Sequence, residues 1–284
     1  MSEMSKLVRL QARGWRSNPL VGLAFLLGLN FMLTPTLNYI RYAKSLGQPI
    51  HILEPLTVAG SMGSSFMLIF LGVLLLLSDA PFVNDFSQSV LLRTSRMKWA
   101  AAYLLYIALC CFAYCLLLLV FSLLVAMPNA YADDVWSYPM MQLAAGRAGF
   151  VEGVSFFSVS FLQKFTPVQG GLITLAFQIS YGFVLGAAMF FFNMVFHRVV
   201  GTVLALCAHV AGVIIYVEGI EVNPYLSLMI HAMPSAHNIS GNPSLNVPTL
   251  RESMLLWAAL ALVLVLCTLL RCKRFDFMVP DRSM

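Results

Sequence analysis

Charge is what this sequence has least of. Of its 284 residues, 10% are Asp, Glu, Lys or Arg while 60% are hydrophobic, and mean hydropathy is +0.84. A soluble domain carries about 25% charged residues, so a water-filled surroundings on all sides is excluded. Several chemical signatures are missing as well. There is no Gly-x-x-x-x-Gly-Lys-[Ser/Thr] phosphate loop, no His-Glu-x-x-His helix, no nucleophile elbow and no acid–base pair within an apolar stretch. ATP binding by the usual loop, zinc-dependent proteolysis and serine-hydrolase chemistry lose their sequence basis. The six cysteines (Cys110, Cys111, Cys115, Cys207, Cys267, Cys272) lie in apolar stretches or at the end of the last one. Their spacing fits neither a disulfide framework nor a zinc site, so they read as packing residues. The alternating ten-residue strands of an outer-membrane barrel are absent. No cleavable leader is expected, because the first apolar run starts only after Pro19 and is long enough to be retained as a helix.

What the sequence has is apolar length. Stretches at about 20–40, 57–78, 99–127, 168–196, 199–217 and 253–270 each approach or exceed the roughly 20 residues that cross a hydrocarbon core as a helix. Open sheets leave backbone groups unanswered in lipid. The expectation is therefore an all-α polytopic membrane protein, one domain over 1–284 with six transmembrane helices, no internal repeat and no nucleotide-binding domain. Orientation follows from the basic residues. One side holds Lys6, Arg9, Arg13, Arg16, Arg93, Arg96, Lys98, Arg198, Arg271, Lys273, Arg274 and Arg282, and the other Arg41, Lys44, Arg147, Lys164 and Arg251. Both termini are thus expected in the cytoplasm. This bias accounts for the net charge of +5 without a nucleic-acid partner.

Residues 1–18 place Lys6, Arg9, Arg13 and Arg16 on one helical face and Met4, Leu7, Val8, Ala12 and Trp15 on the other. That pattern predicts an interfacial amphipathic helix among membrane lipids. Thr34-Pro35 interrupts the first span and permits a bend. Gly60 to Ser65 open the second with small residues, and Gly182 and Gly186 form a small-xxx-small pair suited to helix contact. Outside, a long loop of about 128–167 carries Asp133-Asp134 and an apolar piece, Val151–Leu162, expected as a surface helix. The last outer loop, with Pro224, Pro234, Pro243 and Pro248, suggests a short helix or re-entrant piece near Tyr225–Ala232.

Within the spans the one strongly titratable side chain is His209. Such groups are functional candidates, but a proton relay needs partners, and Glu218 lies about nine residues, roughly 13 Å of helix, away. A neutral ring hydrogen-bonded in the bundle is the preferred reading. Asn30, Asn38, Gln178 and Asn193 either join helices or line a path. Asp133-Asp134, His231 and His237 offer too few ligands in too little fixed geometry, and no metal site is expected.

Between the second and third stretches lies a short polar connector, Asp79-Ala-Pro-Phe-Val-Asn-Asp-Phe followed by Leu-Leu-Arg-Thr-Ser-Arg-Met-Lys-Trp99. Asp79 with Pro81 suits a helix start, Phe82, Phe86 and Val90 share a face, and Arg93, Arg96 and Lys98 anchor its end. With six spans, an interfacial helix and this connector, the chain resembles an ABC-2-type transporter permease. Tyr181-Gly182-Phe183 with Phe196-His197-Arg198-Val199-Val200-Gly201, and Asn223-Pro224, are similar to that family's later corner and outer segment. The resemblance implies a coupling element of Asp79, Pro81, Phe82, Asp85, Phe86, Arg93, Arg96 and Lys98, aided by His197 and Arg198, docking on a separate ABC ATPase subunit. That partner would bind ATP and Mg, this chain having no cofactor and no catalytic residue. It further implies pairing with a second permease chain as a homo- or heterodimer in the cytoplasmic (inner) membrane of a bacterium. Two departures stand out: the coupling loop lacks the family's Glu-rich character, and the outer loop is longer. An apolar bundle suits export of an amphipathic, lipid-like or peptide cargo. An ion-gradient-driven secondary transporter and a non-transporting anchor or sensor subunit are the alternatives.

Overall fold

The computed structural model describes residues 3–16, 18–78, 80, 94–147, 158–196, 199–217, 223–242 and 244–274. The described chain is helical almost throughout. In order it forms α1 (Glu3–Arg13), α2 (Pro19–Ser45), β1 (Ile50–His51), α3 (Glu54–Ser61), α4 (Gly63–Leu77), α5 (Arg96–Ala126), β2 (Ala130–Tyr131), α6 (Tyr138–Ala144), α7 (Val159–Lys164), α8 (Pro167–Val195), α9 (Val200–Val217), α10 (Leu228–Ala232) and α11 (Leu250–Cys272). The long helices start at recognisable caps. The Asn18 side chain accepts from Leu20 N with Pro19 in the first turn, Ser95 caps α5, and Thr166/Gln169 and Thr249/Glu252 form capping boxes on α8 and α11. Each cap gives an orphan amide a partner where a helix leaves apolar surroundings.

Among the described residues, four helices (α2, α5, α8 and α11) are long and apolar enough to cross a membrane, five if a bent pair is counted as one. The protein is an all-α, multi-pass membrane protein. Apolar helices occupy all six expected positions, but two differ from expectation. The stretch 57–78 is not one rod: α3 and α4 meet at 93°, because Met62 leaves the helical region at φ −96°, ψ 113°. The small residues there let other helices into the elbow. A Cβ on Gly60 would lie 2.6 Å from Gln178 Nε2 in α8, and one on Gly63 would lie 2.7 Å from the Tyr216 ring in α9. The fifth stretch is a shorter apolar helix than the others. Conversely, Thr34-Pro35 does not interrupt α2, which runs through Pro35 to Ser45. Of the apolar piece Val151–Leu162, the part from Val159 is α7, and 151–157 lie outside the described residues.

The core is built around close backbone crossings and aromatic rings. Tyr114 of α5 fits between α2 and α4 at Gly28 and Gly72 and donates its hydroxyl to Ile69 O at 2.7 Å. Tyr103 stacks on Phe190, with centroids 4.4 Å apart, and Phe66, Phe70 and Tyr181 form a second cluster. Gly186 faces Leu77 and Ile107, and Gly182 faces Cys111 and Phe70. At the end opposite α1, β1 pairs in parallel with β2 through Ile50–Ala130 and His51–Tyr131, tying the α2–α3 connection to the exit of α5. There α6, α7 and α10 form a cap. α11 lies at the periphery, with Met254, Leu255, Leu262 and Leu270 exposed.

A Cβ at position 72 would lie 2.8 Å from Ala24 O and collide with Tyr114 Oη, whereas one at Gly22 meets nothing within 4 Å. Gly72→Ala is expected to cost about 1–3 kcal/mol and Gly22→Ala close to nothing. Thermal unfolding of the detergent-solubilised chain compares them, and Tyr114→Phe should return part of the loss in Gly72→Ala.

Candidate functional site

Polar chemistry collects at three levels of the bundle. At the end marked by α1, the described part of the connector meets the other chain ends. Ser95 caps α5, Lys98 Nζ pairs with Glu3 Oε2 at 2.7 Å, and Arg96 Nη1 donates to Lys273 O at 3.0 Å while Cys272 Sγ donates to Arg96 O at 3.1 Å. Lys98 holds the Glu3 carboxyl below its usual range, though both partners are largely exposed and the pair adds little stability. Leu7 is buried, Lys6, Arg9 and Arg13 are exposed, and Trp15 Nε1 donates to Tyr106 Oη at 2.7 Å. The face of α1 that carries Leu7 and Val8 therefore packs on α5. Below α4, Asn193 donates to Ala80 O at 2.6 Å and accepts from Gly201 N at 2.8 Å, and Thr202 Oγ1 reaches Ser78 O. Of the expected coupling residues, Arg96 and Lys98 are thus placed together with α1 and the end of α11. Asp79, Pro81, Phe82, Asp85, Phe86, Arg93, His197 and Arg198 lie outside the described residues, and so does the side chain of Arg16.

Mid-bundle, His209 is fully buried. Its Nδ1 meets Tyr181 Oη at 2.5 Å and its Nε2 meets Met67 O at 2.9 Å. A carbonyl only accepts, so Nε2 carries the hydrogen and Nδ1 receives the tyrosine's. This is a neutral ring with both nitrogens used. Gln178 is buried with Oε1 unpartnered, Asn30 is exposed, and Asn38 accepts from Arg41.

At the far end two clusters stand out. The Glu54 carboxylate, 0% exposed, receives Tyr39 Oη at 2.8 Å, His51 N at 2.9 Å, Ser137 N at 2.8 Å and Ser137 Oγ at 2.7 Å. Four donors converge on two oxygens that only accept, an arrangement fitted to the ionised acid. It pins α2, α3 and α6 together. Glu54 falls between the apolar stretches 20–40 and 57–78, which concealed this; an acid directly before Pro55 at a helix start was the available signal.

The second cluster is Ser253 between two histidines. Its Oγ lies 2.7 Å from both His231 Nδ1 and His237 Nε2, while His231 Nε2 meets Tyr225 O at 3.1 Å and His237 Nδ1 meets Met233 O at 2.9 Å. Both carbonyl-facing nitrogens must carry hydrogens, so with neutral rings both inner nitrogens are acceptors. The serine has one hydrogen to offer. The cluster is one donor short, and a single added proton completes it. Burial opposes that proton, pushing His237 down to about 4 and lowering His231. Glu252, the charged neighbour on α11, pulls both upward. The rings around them, Phe177 on His237 and Tyr225 on His231, carry no charge. Both histidines had been weighed as metal ligands in sequence; the structure turns them on Ser253. Asp134 Oδ1 accepts from Val168 N at 3.1 Å. Among the described residues no group of three His, Cys, Asp or Glu side chains could hold a metal ion.

Compared with known proteins, the chain matches no family model, no curated protein and no solved structure.

A histidine whose pKa is lower folded than unfolded binds its proton better unfolded, so its stabilisation is full above the ordinary value and is lost as pH falls through the folded one. Thermal stability should therefore drop between pH 6.5 and about 4, and His237→Gln should flatten that dependence. Replacing Glu54 by Leu lets Tyr39 and Ser137 bond to each other but leaves three buried donors unanswered, an expected loss of about 3 kcal/mol or more in the same melts at neutral pH.

Proposed function

We propose that this chain is the membrane-spanning permease subunit of an ABC-type transporter, driven by ATP hydrolysis in a separate subunit. The observation that carries the reading is the gathering of α1, the end of α4, both sides of the 81–93 connector, the α8–α9 corner and the end of α11 at one end of the bundle. A push delivered to that connector reaches α5 through Arg96 and Lys98 and reaches α8 and α9 through the Asn193 bridge. In this reading the α1 end faces the cytoplasm, the chain crosses the inner membrane of a bacterium six times, and a second permease chain pairs with it. Among the described residues the bundle interior carries polar but no charged side chains besides Glu54 near the opposite end, which favours an amphipathic, lipid-like or peptide cargo over a small ion. ATP bound by the partner biases the two bundle arrangements through its differential affinity for them, so this chain requires no catalytic residue.

A secondary transporter is the second reading, and the 93° elbow at Met62 is the observation that favours it. Broken helices with polar groups nearby mark ion sites in such proteins. His209 bonds to Met67 O just beyond the elbow, but as a neutral ring with both nitrogens occupied.

Gentle solubilisation of a tagged chain from its host membrane is expected to bring down a stoichiometric ATPase. Arg93→Glu with Arg96→Glu should leave insertion intact and uncouple that ATPase from transport, seen as hydrolysis that no longer responds to cargo. Full transport in the double variant removes the coupling role. Cargo movement that collapses with a protonophore and falls in His209→Phe supports the second reading instead.

A further inference from the structure

The α8–α11 seam carries a feature that the transport reading does not use. A cavity of about 650 Å³ opens between these helices, with Lys164 and Arg251 at its outer end and Phe177, Met254 and Ala258 in its walls. A second cavity of about 290 Å³ shares Ala176, Phe177, Met254 and Ala258 and continues along the seam past Trp257 to Val184 and Ala261. Together they form one groove of ligand-binding size. Its polar groups are already engaged: Ser180 Oγ donates to Ala176 O, and Trp257 Nε1 donates to His231 O. Lys164 and Arg251 are its charged members, and the Lys164 ammonium lies 6.0 Å from the centroid of the Phe165 ring. Both are exposed, and neither belongs to an ion pair among the described residues, where the one salt bridge is Lys98–Glu3. Glu252 beside Arg251 has its carboxylate folded onto Thr249 N and Oγ1.

Lys164 closes α7 just before α8, and Arg251 lies in the first turn of α11, so both cations stand at the starts of two helices long enough to span a membrane. From Arg251 to Ala261 is ten residues of helix, about 15 Å, which matches one leaflet of a hydrocarbon core about 30 Å thick. A basic rim over a dry groove one leaflet deep matches one class of molecule. We propose that the α8–α11 seam binds one phospholipid with an anionic headgroup, its phosphate held by Lys164 and Arg251 and an acyl chain laid along Phe177, Met254, Trp257 and Ala261. A second copy of this chain is the less suitable occupant. A two-fold contact sets the same patch against itself and would bring these cations together. The site stands whether or not an ATPase drives the chain.

Native mass spectrometry of the full-length chain, loaded with phosphatidylglycerol or phosphatidylcholine of identical acyl chains, tests this. Each cation near a headgroup favours an anionic lipid about fivefold, so one phosphatidylglycerol per chain should be retained roughly twentyfold to thirtyfold better than phosphatidylcholine. Lys164→Gln with Arg251→Gln should erase that preference, and the charge-keeping exchange Lys164→Arg with Arg251→Lys should preserve it. Met254→Trp, which fills the groove, should reduce retention of both lipids. Equal retention of the two lipids by the unaltered chain overturns the proposal. So does a preference untouched by the double Gln variant, or a Leu255→Cys chain that cross-links to its own copy and excludes lipid from the seam.

Discussion

The amide of Asn193 joins three pieces of chain at once, donating to Ala80 O below α4 and accepting from Gly201 N at the start of α9. Both of those main-chain groups sit where a helix ends inside an apolar bundle. Ala80, Asn193 and Gly201 are buried, and an unanswered amide or carbonyl there costs several kcal/mol. Gly201 is part of the same device, since a Cβ there would run into Met189 O and Asn193. One side chain thereby fixes how α4, α8 and α9 meet, and with them the point from which the 81–93 connector leaves the bundle.

The same constraint shapes the other buried polar groups, each with its own solution. Glu54 gathers four donors from α2, β1 and the cap of α6, so a buried carboxyl is held without a cation. His209 takes a hydroxyl on one nitrogen and gives its hydrogen to a carbonyl with the other. Ser253 stands between two histidines with one hydrogen for two acceptors, so the count of donors falls short there. The first two arrangements are rigid because every partner is occupied. The third responds to pH because one is missing.

The elbow at Met62 gives the fold its asymmetry. α3 turns by 93° from α4 and brings Glu54 beneath the far-end cap, beside the short β1–β2 pairing and α6. At the other end the helices are linked through capped termini and the exposed bonds of Arg96 and Lys98. A tightly bonded cap at one end and a lighter, charge-rich rim at the other suit a bundle moved from the α1 side, which is the sense of the transport reading. The apolar seam between α8 and α11 lies outside that division, because α11 is the least covered of the four long helices.

Apolar length determined much of this protein by itself. Runs of about 20 uncharged residues have one stable state in hydrocarbon, so the helix positions and the membrane class could be read in order along the chain. Glycine spacing likewise marked the contact at Gly182 and Gly186. Tertiary structure alone decided the rest. The elbow at Met62 rests on Gln178, Thr174 and Tyr216 entering from α8 and α9, residues more than a hundred positions away. Pro35 lies inside a continuous α2, where the rest of the helix and its packing carry the turn past the missing amide. Glu54 gained its role from Tyr39 and Ser137, which are far apart in sequence, and Ser253 gained its own only where the segment from α10 to His237 folds His231 and His237 over it. Local composition specifies which segments leave water; which polar atoms then find each other depends on three-dimensional proximity, and no periodicity encodes that.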